Sequence, residues 1–251
     1  MKKNINYLSI VLMLGLINWH CTKDSTAASA NTGGAGQGGS LARFTIAGNY
    51  LYSVDNQVLK TFSLANPANP ELKSSVNVGF DIETIFPFKD KLFIGSSSVV
   101  YIFSIASPEQ PQKLGTAISP SVMRRCDPVV AKDSVAYATL RTNGACGGTQ
   151  SILAVYDIKD ITNPRVAASV PVPEPYGLGY ADNALYVCDF NGLQVFDISN
   201  QYSPMFKNAV TGNSFVDVIP YGNTLICWVR DGLVIYDISN RFNPVLITKI
   251  K

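Results

Sequence analysis

The chain has 251 residues, 47% of them hydrophobic and only 15% charged. Its 20 basic residues stand against 18 acidic ones, and Lys2 and Lys3 at the start account for the excess. The balance beyond them excludes the clustered positive charge that nucleic acid binding draws on. The single histidine, His20, lies near the start, which removes Ser-His-Asp chemistry from the rest of the chain. There is no Cys-x-x-Cys pair, so no metal and no cofactor are expected.

Residues 1–20 read as a lipoprotein signal peptide. Lys2-Lys3 form a basic opening, and Leu8 to Ile17 is an apolar core too short to span a bilayer. Cys21 follows at the distance of a lipidated cysteine, although Asn18-Trp19-His20 before it is not the usual small-residue tripeptide. An ordinary secretory peptide cut elsewhere is the alternative. Residues 21–40 hold the candidate lipidated Cys21 and a Gly/Ala/Ser tract, Thr26 to Ser40, that reads as a flexible tether. The expected location is extracytoplasmic, on an outer-membrane lipoprotein, with lipid as the sole membrane contact.

Residues 41–251 are repetitive. Five times an aromatic residue is followed eight positions later by a proline: Phe62 and Pro70, Phe103 and Pro111, Tyr156 and Pro164, Phe196 and Pro204, Tyr236 and Pro244. The prolines are 41, 53, 40 and 40 residues apart. A period near 40 in strand-rich sequence marks a propeller blade, and the fold class is all-β, a five-bladed β-propeller of four-stranded blades. The last unit shows the pattern. A first strand runs to a turn at Gly222-Asn223, and a second begins at Leu225. Asp231-Gly232 is a hairpin dipeptide, the third strand spans Leu233 to Ile238, and the fourth follows Pro244. The ring is expected to be closed by packing between the first and last blades, with no strand exchanged.

Repeat three carries ten extra residues, Arg141 to Gln150, between its second and third strands, and such insertions often lie on a binding face. Repeats three to five end the third strand with Asp157, Asp197 or Asp237, where the first two have Ser63 and Ser104. A dispensable turn contact is the expected role.

The segment Leu233-Val-Ile-Tyr-Asp-Ile-Ser-Asn240 resembles the LVIVD repeat. The block Cys126-Asp-Pro-Val-Val, Ala138-Thr-Leu-Arg, Cys146-Gly-Gly and Gly177-Leu-Gly is similar to LVIVD-repeat lipoproteins of Bacteroidetes. The resemblance covers residues 41–251 and is strongest from Cys126 onward. It implies a β-propeller on an extracytoplasmic lipoprotein and carries over no activity.

Cys126 begins the first strand of repeat three and Cys146 sits in its inserted loop, at the same end of the blade. A bridge between them is expected, closing about 20 residues and stabilising by roughly 3 kcal/mol. Cys188 and Cys227, on opposite faces of neighbouring sheets, are expected as buried free thiols. Aligning the innermost strands puts Arg43, Thr84, Asp127, Gly177 and Asp217 in one ring at the channel. These, with Arg141 and Tyr176, are the candidate ligand-binding residues. Two readings stand: a binding or scaffolding module for an unknown protein or glycan at the cell surface, or a carbohydrate-active hydrolase using Asp127 and Asp217. Arg43 beside those acids favours the binder, since a nearby cation suppresses a proton donor. No catalytic residue is assigned.

Overall fold

The computed structural model describes residues 38–120, 128–142 and 151–251. They form five antiparallel four-stranded sheets, each built from four consecutive strands. Blade one is β1 (Phe44–Ala47), β2 (Tyr50–Val54), β3 (Val58–Ser63) and β4 (Glu71–Asn77). Blade two is β5 (Ile82–Phe88), β6 (Lys91–Ser96), β7 (Val99–Ser104) and β8 (Gln112–Ile118). Blade three is β9 (Val129–Lys132), β10 (Val135–Leu140), β11 (Ile152–Asp157) and β12 (Arg165–Pro171). Blade four is β13 (Pro175–Ala181), β14 (Ala184–Asp189), β15 (Gly192–Asp197) and β16 (Met205–Thr211). Blade five is β17 (Phe215–Tyr221), β18 (Thr224–Val229), β19 (Gly232–Asp237) and β20 (Val245–Ile250). Strand order runs unbroken within each sheet, so no strand is exchanged between repeats.

Local chemistry repeats with the blades. The first two strands of each are joined by a two-residue turn whose leading residue has positive φ: Gly48, Lys89, Asp133, Asp182 and Gly222, between 51° and 58°. That conformation matches the twist of the flanking strands, and glycine or aspartate adopts it at least cost. The recurring aromatic marks a register shift between third and fourth strands, at Phe62, Phe103, Tyr156, Phe196 and Tyr236 alike. Beyond the third strand, Asp157, Asp197 and Asp237 each accept the backbone N–H two residues on, at 2.7–2.9 Å. Ser63 and Ser104 accept the same bond, from Ala65 and Ala106, at 3.3 and 3.2 Å. The acid is therefore replaceable by a hydroxyl, as a turn contact requires.

Successive blades are held by four buried apolar clusters, one in each seam from blade one to blade five. Leu92, Leu185 and Leu225 at the start of the second strand are fully buried there, each worth about 1.5–3 kcal/mol. Hydroxyls reinforce three of these seams. Tyr52, Tyr137 and Tyr186 donate to the backbone carbonyls of Pro108, Gln201 and Arg241 on the following blade, at 3.0, 2.8 and 2.8 Å.

The seam between blades five and one is different, and it departs from the expected closure. Among the described residues no buried apolar cluster joins these blades. Phe44 occupies the position of Ile85, Leu178 and Val218, which are all at most 1% exposed, yet it is 62% exposed. Trp228, the counterpart of fully buried Cys188, is 53% exposed, and Leu233, the counterpart of fully buried Leu193, is 40% exposed. What joins the ends is polar and lies at the axis, in residues 39–41.

Candidate functional site

The inner strands of blades two to five border an axial cavity of about 230 Å³. Phe86, Val130, Leu178, Tyr180, Val218 and Pro220 supply much of its wall, with Gly38 and Ser40 at the end where Asp217 lies. None of the aligned ring residues Arg43, Thr84, Gly177 and Asp217 lines this cavity. The cavity lies further along the inner strands, past the ring position.

Asp217 is the site's one described carboxylate, 9% exposed. It accepts from the Ser40 hydroxyl at 3.1 Å, from the Leu41 N–H at 3.2 Å and from the Val218 N–H at 3.0 Å. Ser40 Oγ in turn accepts the Leu178 N–H at 2.7 Å. The carboxylate is wedged between two glycines. A Cβ on Gly39 would lie 2.0 Å from Oδ2, and one on Gly177 would lie 2.1 Å from Oδ1. Burial pushes the acid up to about 6, against the pull of the N–H and O–H groups of Leu41, Val218 and Ser40. The ion pair with Arg43 is not formed: Arg43 is exposed, and no Arg43–Asp217 bridge occurs among the described residues. Gly39 and Ser40, at the end of the presumed tether, are instead buried against blades four and five.

Thr84 is buried in blade two, opposite Gly95. Asp127, Cys126, Cys146 and Cys21 lie outside the described residues, as does the loop 143–150. Arg141, where that loop leaves β10, stacks its guanidinium 4.1 Å from the centre of the Tyr176 ring. The structure thus brings together these two candidates from neighbouring blades, at the Asp217 end, where the inner strands begin. Thr139 adds a hydroxyl bond to the Tyr176 carbonyl, which fixes the ring's backbone. Cys188 and Cys227 are free and buried. Their opposite faces, one forward and one backward, place both in the seam of blades four and five. No group of three or more His, Cys, Asp or Glu fit to hold a metal occurs among the described residues.

The family model of the LVIVD repeat matches residues 38–78, 181–212 and 221–251. These segments are blade one and the last three strands of blades four and five. The chain carries LVIVD repeats on a β-propeller fold. The match includes the first repeat, which resembles the motif only in outline, and passes over residues 79–180, where the insertion lies. No curated protein matches the chain.

Solved structures similar to this LVIVD-repeat propeller include the periplasmic gluconolactonase PpgL of Pseudomonas aeruginosa, at TM-score 0.58 and 13% identity, covering 83% of this chain and 67% of that one. BamB of Moraxella catarrhalis is similar at TM-score 0.55 and 10% identity, covering 82% and 62%. Apo AztD of Citrobacter koseri is similar at TM-score 0.56 and 13% identity, covering 80% and 60%. The chain spans about 60% of the length of several of these, and identities this low show a shared fold alone.

Proposed function

We propose that this LVIVD-repeat propeller is a binding or scaffolding module of a lipid-anchored protein facing the periplasm or the cell surface, with its contact surface at the Arg141–Tyr176 end. The observation that carries the reading is the use made of Asp217. Three donors and two glycines hold it in place, which suits a structural acid and leaves it no approach to a substrate. The axial wall is largely apolar, unlike a glycosidase cleft with two carboxyls roughly 6.5–9.5 Å apart flanking a sugar. At the contact end, a guanidinium over an aromatic ring offers a flat, amphipathic surface of the kind that partners and glycans stack on. Lipid attachment at Cys21 belongs to the same reading.

The test is a pull-down and glycan-array screen with the wild-type chain beside Arg141→Ala and Tyr176→Ala. Retention of a partner that both variants lose supports the contact surface. The hydrolase alternative is tested by assaying glycosides with the wild type and with Asp127→Asn/Asp217→Asn. Turnover that disappears in the double variant overturns the binding module.

A further inference from the structure

We propose that the exposed faces of blades one and five bind each other between two copies of this chain, blade five of each copy seating on blade one of the other. Each blade has a forward face, which packs on the next blade, and a backward face, which packs on the previous one. The seam of blades four and five shows what such faces need: Cys188 and Leu193 point forward from blade four, Val218 points backward from blade five, and all three share one buried cluster.

The same positions are free at the ends of the array. Trp228 and Leu233 are the forward counterparts on blade five, and Phe44 is the backward counterpart on blade one. Ile250 on the outer strand of blade five adds to the forward face at 50% exposure, and Ile46 to the backward face at 38%. An end that meets only water in a repeat array carries a polar outer surface. These ends carry a tryptophan, a phenylalanine, a leucine and two isoleucines, and contiguous exposed apolar surface of this kind marks an interaction site.

The occupant follows from complementarity. A forward face fits a backward face, the fold uses that fit four times, and one copy of each remains on every chain. Within one chain the two faces are left uncovered although the axis is already joined through Asp217, Ser40 and Leu41. A second copy supplies both missing halves at once, and reciprocal seating closes the pair around a two-fold axis, so no open filament grows.

The experiment mixes two full-length single variants, Phe44→Cys and Trp228→Cys, both on a Cys21→Ser background, under mild oxidation. Their counterparts Val218 and Cys188 share one cluster, so a thiol pair across the proposed contact is within reach. The expected result is a disulfide-linked dimer in the mixture well above that in either variant alone. Light scattering should give the Cys21→Ser chain twice the mass of its Trp228→Glu derivative. Trp19 and Trp228 are the chain's two tryptophans, so in a Trp19→Phe chain the emission of Trp228 should shift to the blue as concentration rises. A monomeric internal disulfide in the Phe44→Cys/Trp228→Cys double variant would mean the seam closes within one chain, and would overturn the proposal. So would a monomeric mass with no linkage in the mixture.

Discussion

Asp217 shows how one side chain couples pH to the array. Burial penalises the charge and holds the carboxyl at about 6, above the ordinary aspartate range. The folded state therefore holds the proton more tightly than the unfolded one. The stabilisation this gives is full below about pH 4 and is lost as pH rises through 6. Between pH 4 and pH 8 the wild type should lose on the order of 2–3 kcal/mol from this group. Partly buried acids such as Asp197 and Asp237, held below their usual range by their turn bonds, act in the opposite direction. The measurement is thus the difference in urea unfolding free energy between wild type and Asp217→Asn across that range. A difference that does not change with pH would assign the effect elsewhere. Gly177 provides the steric counterpart: a methyl group there meets the carboxylate at 2.1 Å, so Gly177→Ala should cost about 1–3 kcal/mol by overpacking.

Within the blades, the hydroxyl links and the turn acids make separable predictions. Tyr186→Phe keeps the buried ring and removes the donor to the Arg241 carbonyl, and should cost about 1–2 kcal/mol in denaturant unfolding. Phe93 holds the same position in blade two without a hydroxyl, so the packing tolerates phenylalanine and the loss is that of the bond. Asp197→Ser should leave the unfolding midpoint unchanged, because Ser63 and Ser104 already make that contact, whereas Asp197→Ala should lower it. Much of this was legible in sequence. The aromatic-to-proline spacing located the third and fourth strands, and the Asp-to-Ser exchange identified a local turn contact, whereas the register shift at each aromatic left no mark of its own in the sequence. The positive-φ turn at Lys89 was harder to read, since lysine carries none of the usual turn chemistry.

The whole molecule is where sequence reading stopped short. A repeat pattern specifies how one blade meets the next, four times over, but the angle accumulated over five blades depends on packing at every seam. The open ends could have been suspected from Ile226, which stands where Tyr52, Tyr137 and Tyr186 donate their hydroxyls. Ser40 was masked by the Gly/Ala/Ser composition around it, which reads as tether although the residue is 1% exposed. Two measurements act at this scale. Hydrogen exchange should be slowest in β10 and β14, whose residues are all buried, and fastest in β20, whose residues are all exposed. Thiol labelling of a denatured, non-reduced Cys21→Ser chain should find two reactive cysteines, those at 188 and 227; four would refute a bridge between Cys126 and Cys146.

The second-strand hydroxyls of Tyr52, Tyr137 and Tyr186 point the same way round, each from a blade to the one after it. An array wired in that sense is extensible. Duplicating a repeat at its far end would disturb none of these three bonds, since each looks forward from an existing blade and the newcomer asks only for a carbonyl acceptor of its own. Changing Ile226 to tyrosine would then equip blade five to greet a sixth. Blade number in such a protein is free to drift by gene duplication while every seam behind the growing end stays as it was.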